Sequence, residues 1–268
     1  MRKVSIYFRN DDPDTFEFGD KRTELRQLTD LFYEMEVPLI HACVPKTITD
    51  ETVEYFKELK RKNPDLIEFV QHGYQHQLYV TGEFDETRTY DEQYNDIKRG
   101  QEILKEKFGD LLFNGFVFPF GGYADYSMKI IDELGFDVLS CYWKYDFLHR
   151  LVYTIFRPFN MGPVLGYHIS YHHRKYKKFK FYDYSNCVNV LKTGDPYIYK
   201  SADEMFQMVV EAAKHTKLIG VVHHYNTLND KTGPDNLKKT REFLEKIKNT
   251  EWIECTTLEN YSKKEGHL

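Results

Sequence analysis

Short β-type runs alternate with amphipathic helical stretches along almost the whole chain, and this order restricts the possible fold more than any other feature. Strands are expected at Val4–Phe8, Leu39–Val44, Leu66–Gln71, Gly115–Phe118, Phe136–Cys141, Val164–Ile169, Leu218–His223 and Trp252–Cys255. Helices fit between most of them, at Lys21–Met35, Asp50–Lys62, Asp85–Lys107, Asp125–Leu134, Ala202–Thr216 and Pro234–Lys248. Several starts carry caps or early acids, as in Thr49-Asp50-Glu51 and Ser201-Ala202-Asp203-Glu204. Such alternation implies a parallel sheet, and about seven to eight strands imply a closed or nearly closed (β/α) barrel. Between Tyr142 and Lys200, where Tyr, Lys and His dominate, the helical period is hard to follow. No repeat or linker marks a boundary, so the 268 residues read as a single domain, long enough to bury a large core.

In a barrel of this kind the chemistry collects at the carboxyl ends of the strands. Asp11 and Asp12 close the first strand, His72 and His76 the third, Phe118-Pro119-Phe120-Gly121-Gly122 follows the fourth, and His223-His224 ends the seventh. At a strand end turning into a helix, positions i and i+4 face the same way, so His72 and His76 can place two imidazoles on one cation. A carboxylate from a neighbouring strand end would supply a third ligand and leave a coordination position open for water, as hydrolytic sites do. Taken singly, each motif has an ordinary reading: histidines on an exposed helix face, and Asp11-Asp12-Pro13-Asp14 as a cap or turn. Their convergence from distant segments favours the metal site.

Composition removes several other classes. A net charge of −5 gives no nucleic-acid footprint. Cys43, Cys141, Cys187 and Cys255 form no C-x-x-C pair, so neither a zinc ribbon nor a disulfide framework is suggested, and free thiols in a reducing compartment are expected. No apolar run reaches membrane-spanning length, and Met1-Arg2-Lys3 leads straight into a strand, so a cytoplasmic protein without a signal peptide is expected. The 21 tyrosines and 20 phenylalanines mostly fill core, although exposed rings can stack on sugars. The basic run His172–Lys180 reads first as a solvated loop and second as a grip for phosphate or a nucleotide-linked sugar.

The chain resembles the metal-dependent polysaccharide deacetylases of carbohydrate esterase family four, which are built on a distorted (β/α) barrel. Arg9-Asn10-Asp11-Asp12 matches the opening acidic pair, His72-Gly73-Tyr74-Gln75-His76 the H-x-x-x-H motif, and Pro119-Phe120-Gly121 the Pro-aromatic-Gly loop; Val221-Val222-His223 loosely matches a late L-x-H. Their order covers residues about 3 to 225, and the H-G-Y-x-H form looks closest to a deacetylase-like branch of mostly unassigned substrate.

The resemblance implies that Asp12, His72 and His76 hold a divalent metal, that Asp11 is the general base and that His223 protonates the departing amine. A backbone N–H near Phe120 would stabilise the oxyanion, with Tyr74 as a further substrate contact. His223 and His224 compete for the acid role, since strand alternation lets only one face the mouth, and the resemblance favours His223. His41 reads as a satisfied core histidine and stays outside the metal set. Asp11 and Asp12 can do different work only if the chain bends between them, which Pro13 makes plausible.

One position departs from the family pattern. Where the family places an Arg two residues before the Pro, to position the catalytic Asp, this chain has Val117; Arg9 or Arg157 are the candidates to replace it. The reading that results is a metal-dependent hydrolase of non-peptide amide bonds, deacetylating an N-acetylated sugar or polysaccharide precursor. A small formamide, imide or ureide as substrate, or a non-catalytic carbohydrate-binding descendant, are the alternatives. Zinc fits the ligand set first, and cobalt, nickel, manganese and iron also suit it.

Overall fold

A computed structural model describes residues 2–15, 20–141, 179–184, 186–192, 195–228 and 235–268. In chain order its elements are β1 (Val4–Asp11), α1 (Arg22–Glu34), β2 (Leu39–Cys43), α2 (Asp50–Lys62), β3 (Ile67–His72), α3 (Tyr90–Phe108), β4 (Leu112–Val117), α4 (Asp125–Glu133) and β5 (Val138–Leu139). There follow β6 (Tyr182–Asp183), β7 (Asn186–Asn189), β8 (Leu191–Lys192), β9 (Asp195–Tyr199), α5 (Ala202–Ala212), β10 (Leu218–His223), α6 (Asn236–Lys248), β11 (Ile253–Cys255) and α7 (Leu258–Lys264). Local chemistry explains the helix starts. Thr49 caps α2 by accepting from the Thr52 amide, and full capping boxes, Thr89 with Glu92 and Ser201 with Glu204, open α3 and α5.

The main sheet runs β6-β5-β4-β3-β2-β1-β10-β7 and is parallel throughout. One edge of β1 is shared: Val4–Ile6 pair with β11 and Phe8–Asp11 with β2. The two ends of the order, β6 and β7, are successive strands of the chain, and the Asn186 amide at the start of β7 donates to the Cys141 carbonyl just past β5 at 2.7 Å. The distorted barrel is therefore a curled parallel sheet parted at this seam. The expected strand at Val164–Ile169 lies outside the described residues, as does Pro234 at the expected start of α6. The strands β6 and β7, too short to carry a period of their own, were not expected.

Alternation sorts the side chains into two layers. Val4, Ile6 and Phe8 of β1, Leu39 of β2, Ile67 and Phe69 of β3, and Ile219 and Val221 of β10 join Leu28, Leu31 and Phe32 of α1 and Phe56 of α2 in the outer core. Tyr7, Ile40, Ala42, Val70, Val117, Val138 and Leu218 fill the interior. Inside, the Tyr7 hydroxyl donates to the Tyr184 carbonyl at 2.6 Å and meets Ser140 Oγ at 3.0 Å. A Cβ at position 220 would lie 2.3 Å from that hydroxyl, which is why β10 has glycine there.

At the amino end of the interior, Leu258 and Tyr261 of α7 cover the same cluster. The buried Glu68 carboxylate accepts the first amides of that helix, from Leu258 at 3.2 Å and Glu259 at 2.8 Å. Burial pushes the Glu68 carboxyl up to about 7 in spite of these bonds. A carboxyl raised on folding contributes stability that is present below the unfolded value, about 4.5, and lost as pH rises through about 7. Glu68→Gln should therefore gain stability relative to the native chain between pH 5 and pH 8, on the order of 2 kcal/mol. Urea unfolding at the two pH values measures this difference, and a difference independent of pH refutes the assignment.

Candidate metal centre and active site

Asp11 is the last residue of β1, and the chain then turns sharply: Asp12 has φ +67°, and the Thr15 amide and hydroxyl donate to the Asp12 carbonyl at 3.1 and 3.0 Å. Asp14 pins this turn to the α2 cap by accepting from the Thr49 amide and hydroxyl at 3.0 and 2.7 Å. The bend expected at Pro13 thus falls on Asp12 itself, in the left-handed region that Asp tolerates better than most residues.

The bend aims Asp12 at the histidines. Asp12 Oδ1 lies 3.0 Å from Nε2 of His72 and 3.0 Å from Nε2 of His76, and these are the only three metal-competent groups brought together among the described residues. His72 Nδ1 sits 3.2 Å from the Val117 carbonyl, so donation there leaves Nε2 with a lone pair turned toward the carboxylate. Asp12 Oδ1 is buried and has no aligned hydrogen-bond donor. A buried oxygen flanked by two imidazole nitrogens suits a shared cation, and the residues present fit a divalent metal on that ground. Burial pushes the Asp12 carboxyl up, but the imidazoles of His76 and His72 outweigh it and hold the group well below the usual carboxylate range.

No helix turn relates the two histidines, contrary to the sequence expectation. His72 ends β3, and residues 73–76 form a loop in which Gly73 has φ +55° and His76 φ +56°. The carboxylate of Glu83, fully buried, gathers this loop by accepting the amides of Tyr74, Gln75 and His76. Helix α3 accordingly begins at Tyr90 rather than Asp85, because Asp85 is spent on the amides of Val80, Thr81, Gly82 and Thr87. Sequence reasoning missed Glu83; its one signal was a carboxylate seven residues past His76, in the stretch left unassigned before the helix expected at Asp85.

Asp11 points into the interior beside the triad and is gripped by Arg9, whose Nε and second terminal nitrogen donate to its two oxygens at 2.6 and 2.8 Å. The remaining nitrogen of Arg9 donates to Ser140 Oγ at 2.6 Å and to the Ser140 carbonyl at 3.1 Å. Burial raises the Asp11 carboxyl, and the guanidinium pulls it down past its ordinary value. Arg9 is thus the partner that Val117 cannot be; Arg157 lies outside the described residues. Val117 contributes its carbonyl instead, accepting from the Gly73 amide and facing His72.

The two late histidines exchange places with respect to expectation. Register pairs Arg9 with Val222 and Asn10 with His223, and paired residues share a face. His223 therefore faces the helices: it is fully buried, edge-on to Phe32 at 5.3 Å and tilted against Phe8 at 6.1 Å. Burial pushes its imidazole down to about 3, which keeps it neutral. His224, half-buried, stands on the interior side, close enough for its charge to lower Asp11, and its Nδ1 has no hydrogen-bond partner. His41 stacks on Phe56 at 4.0 Å in the same outer row, away from the mouth.

Phe120 takes φ +60° in the Pro119–Gly121 turn and lays its ring 4.3 Å from that of His76. The Tyr74 ring instead packs against the outer aromatic cluster, so its substrate-contact role is not supported; it joins the site through its backbone. Four of the six exposed large apolar residues among those described, Leu78, Tyr79, Val80 and Phe120, stand on two loops that meet where Gly82 touches Gly122. The mouth therefore has an apolar rim. Among the described residues, no helix is long and apolar enough to cross a membrane.

Comparison with known proteins agrees with this fold. A family model described as polysaccharide deacetylase matches residues 15–139, which include both histidines of the triad. A search of curated proteins matched nothing. Among solved structures, a putative polysaccharide deacetylase from Mycobacterium smegmatis superposes with TM-score 0.66 at 13% identity, covering 98% of this chain and 90% of that one. The Puue allantoinase gives TM-score 0.62 at 12% identity, covering 97% and 89%. A family 4 acetyl xylan esterase from Clostridium thermocellum, in complex with a cobalt ion, gives 0.58 at 11%, covering 98% and 92%. At these identities the structures establish the fold, and the polysaccharide deacetylase model matches the segment of this chain that carries the H-x-x-x-H loop.

Proposed function

We propose that the protein is a metal-dependent hydrolase of non-peptide carbon–nitrogen bonds that removes the acetyl group from an N-acetylated sugar or polysaccharide precursor. The observation that carries this reading is the convergence of Asp12, His72 and His76 beside an Asp11 held by Arg9. Asp12, His72 and His76 would hold the cation, which when bound polarises the amide carbonyl and acidifies water. Zinc suits two imidazoles and a carboxylate, and the cobalt ion held by the acetyl xylan esterase of similar fold supports cobalt as an alternative.

The chain's own residues supply the remaining steps. Asp11, kept ionised by Arg9, accepts a proton from the attacking water. The backbone N–H at Phe120, exposed by the left-handed turn, is the candidate donor to the developing oxyanion. His224 then delivers a proton to the departing nitrogen. Tyr79 and Phe120 on the rim offer rings to the apolar face of a sugar. Val117, standing where the resemblance expects an arginine, with Arg9 of β1 gripping Asp11 instead, favours a second reading, in which the substrate is a small amide or ureide.

A panel of N-acetylated sugars and small amides, with acetate and amine release followed on zinc- and cobalt-loaded protein, tests the proposal. Turnover of an acetylated sugar supports it; turnover of small amides alone selects the second reading. A cation-loaded chain that turns over neither is a binding descendant. On the best substrate, His224→Ala should lower kcat on the order of 100-fold, whereas His223→Leu, an apolar replacement between Phe8 and Phe32, should leave kcat unchanged. The reverse pattern returns the acid role to His223.

A further inference from the structure

We propose that Glu83 is a positioning residue that holds the loop between the two histidines in its cation-binding shape. The proposal rests on the metal-centre reading above. Glu83 Oε1 accepts from the amides of Tyr74 and Gln75 at 3.2 and 2.8 Å, and Oε2 from those of Tyr74 and His76 at 3.3 Å each. Three successive amides of the ligand loop thus end on one buried carboxylate. With both oxygens so engaged, Glu83 stands outside the cluster of possible ligands and acts through His76.

The conformation it holds is a costly one. His76 occupies the left-handed region, which is unfavourable for a non-glycine residue and persists only where the surroundings impose it. Deleting the acceptor would leave buried amides unpaired and release that conformation. Gly73 reports how closely the carboxylate sits: a Cβ there would lie 2.2 Å from Glu83 Oε2 and 2.5 Å from Pro119 Cγ.

Glu83 is itself tied to the opposite wall of the site. An Arg88 terminal nitrogen donates to its carbonyl at 3.2 Å, and the next residue, Phe84, pairs with Tyr123 and accepts the Ala124 amide at 2.7 Å. The segment carrying Phe120 and the loop carrying His76 are therefore registered through one residue.

Zinc affinity by chelator competition and the visible spectrum of the cobalt-loaded chain test the role, with folding checked by circular dichroism. Glu83→Ala should weaken zinc binding 10- to 100-fold, the usual effect of removing a group that orients a ligand, and should alter the cobalt bands. Glu83→Gln, which keeps one acceptor oxygen, should fall between the native chain and Ala. Asp85→Asn is the control, since Asp85 gathers the amides of Val80, Thr81 and Gly82 in the adjoining loop without touching a ligand; its zinc affinity should be native. Native affinity and cobalt bands in folded Glu83→Ala, or in Glu83→Gln should the Ala variant not fold, overturn the proposal alone. Failure of the unmodified chain to bind either cation overturns the metal-centre reading and the proposal with it.

Discussion

Asp11→Asn should bind its cation like the native chain and lose two to four orders of magnitude in kcat. The range is the usual contribution of general acid–base catalysis, and asparagine keeps the shape of aspartate while giving up its basicity. Asp11 stands one residue before Asp12, but its oxygens face Arg9 rather than the imidazoles, so cation affinity should be untouched. The substitution also strands a buried guanidinium, which retains Ser140 and one amide oxygen as partners; a stability loss should accompany the loss of activity. Metal content, thermal unfolding and turnover are therefore measured together, with Asp12→Asn alongside. Equal metal loss in both variants would make both carboxylates ligands. Full activity in Asp11→Asn would leave the proposed base without work.

His72→Ala or His76→Ala should remove most cation binding, with about one divalent ion per chain bound before the change. Each deletes a primary ligand, so the fall in affinity should exceed the 10- to 100-fold expected when only an orienting group is lost. His72 should prove the less tolerant of the two, because it is buried at a strand end and its ring is fixed by the Val117 carbonyl, whereas His76 sits on a loop beside the partly exposed Phe120. Equilibrium dialysis against zinc gives stoichiometry and affinity. Unchanged values in the double variant would refute the site assignment whatever the reaction proves to be.

Most of the fold was legible because its signals are local. Periods of two and near 3.6 residues repeat within single elements, and caps such as Thr89 with Glu92 sit in contiguous sequence. Boundaries failed where a side chain of the expected element was taken up by backbone outside it. Asp85 reads as the first turn of a helix until its carboxylate is seen holding the amides of Val80, Thr81 and Gly82. The strands β6 and β7, of two and four residues, exist because β5 and β10 offer them edges.

By itself, the sequence determined which chemistry could assemble: two histidines four apart, an acidic pair and a Pro-Phe-Gly turn, each at the end of a periodic run and hence at one end of a parallel sheet. Only tertiary structure decided which of each pair faces the mouth. Sheet side chains alternate with a period of two, so a shift of one residue in register exchanges the faces of every residue in a strand. Pairing of Asn10 with His223 sends His223 to the helices and leaves His224 beside Asp11. The same geometry turns Arg9 inward along with Asp11, letting β1 provide the guanidinium that position 117 lacks. Left-handed backbone at Asp12 and His76 completes the site, and no local propensity would select it without the contacts of Asp14 and Glu83 that hold the two turns.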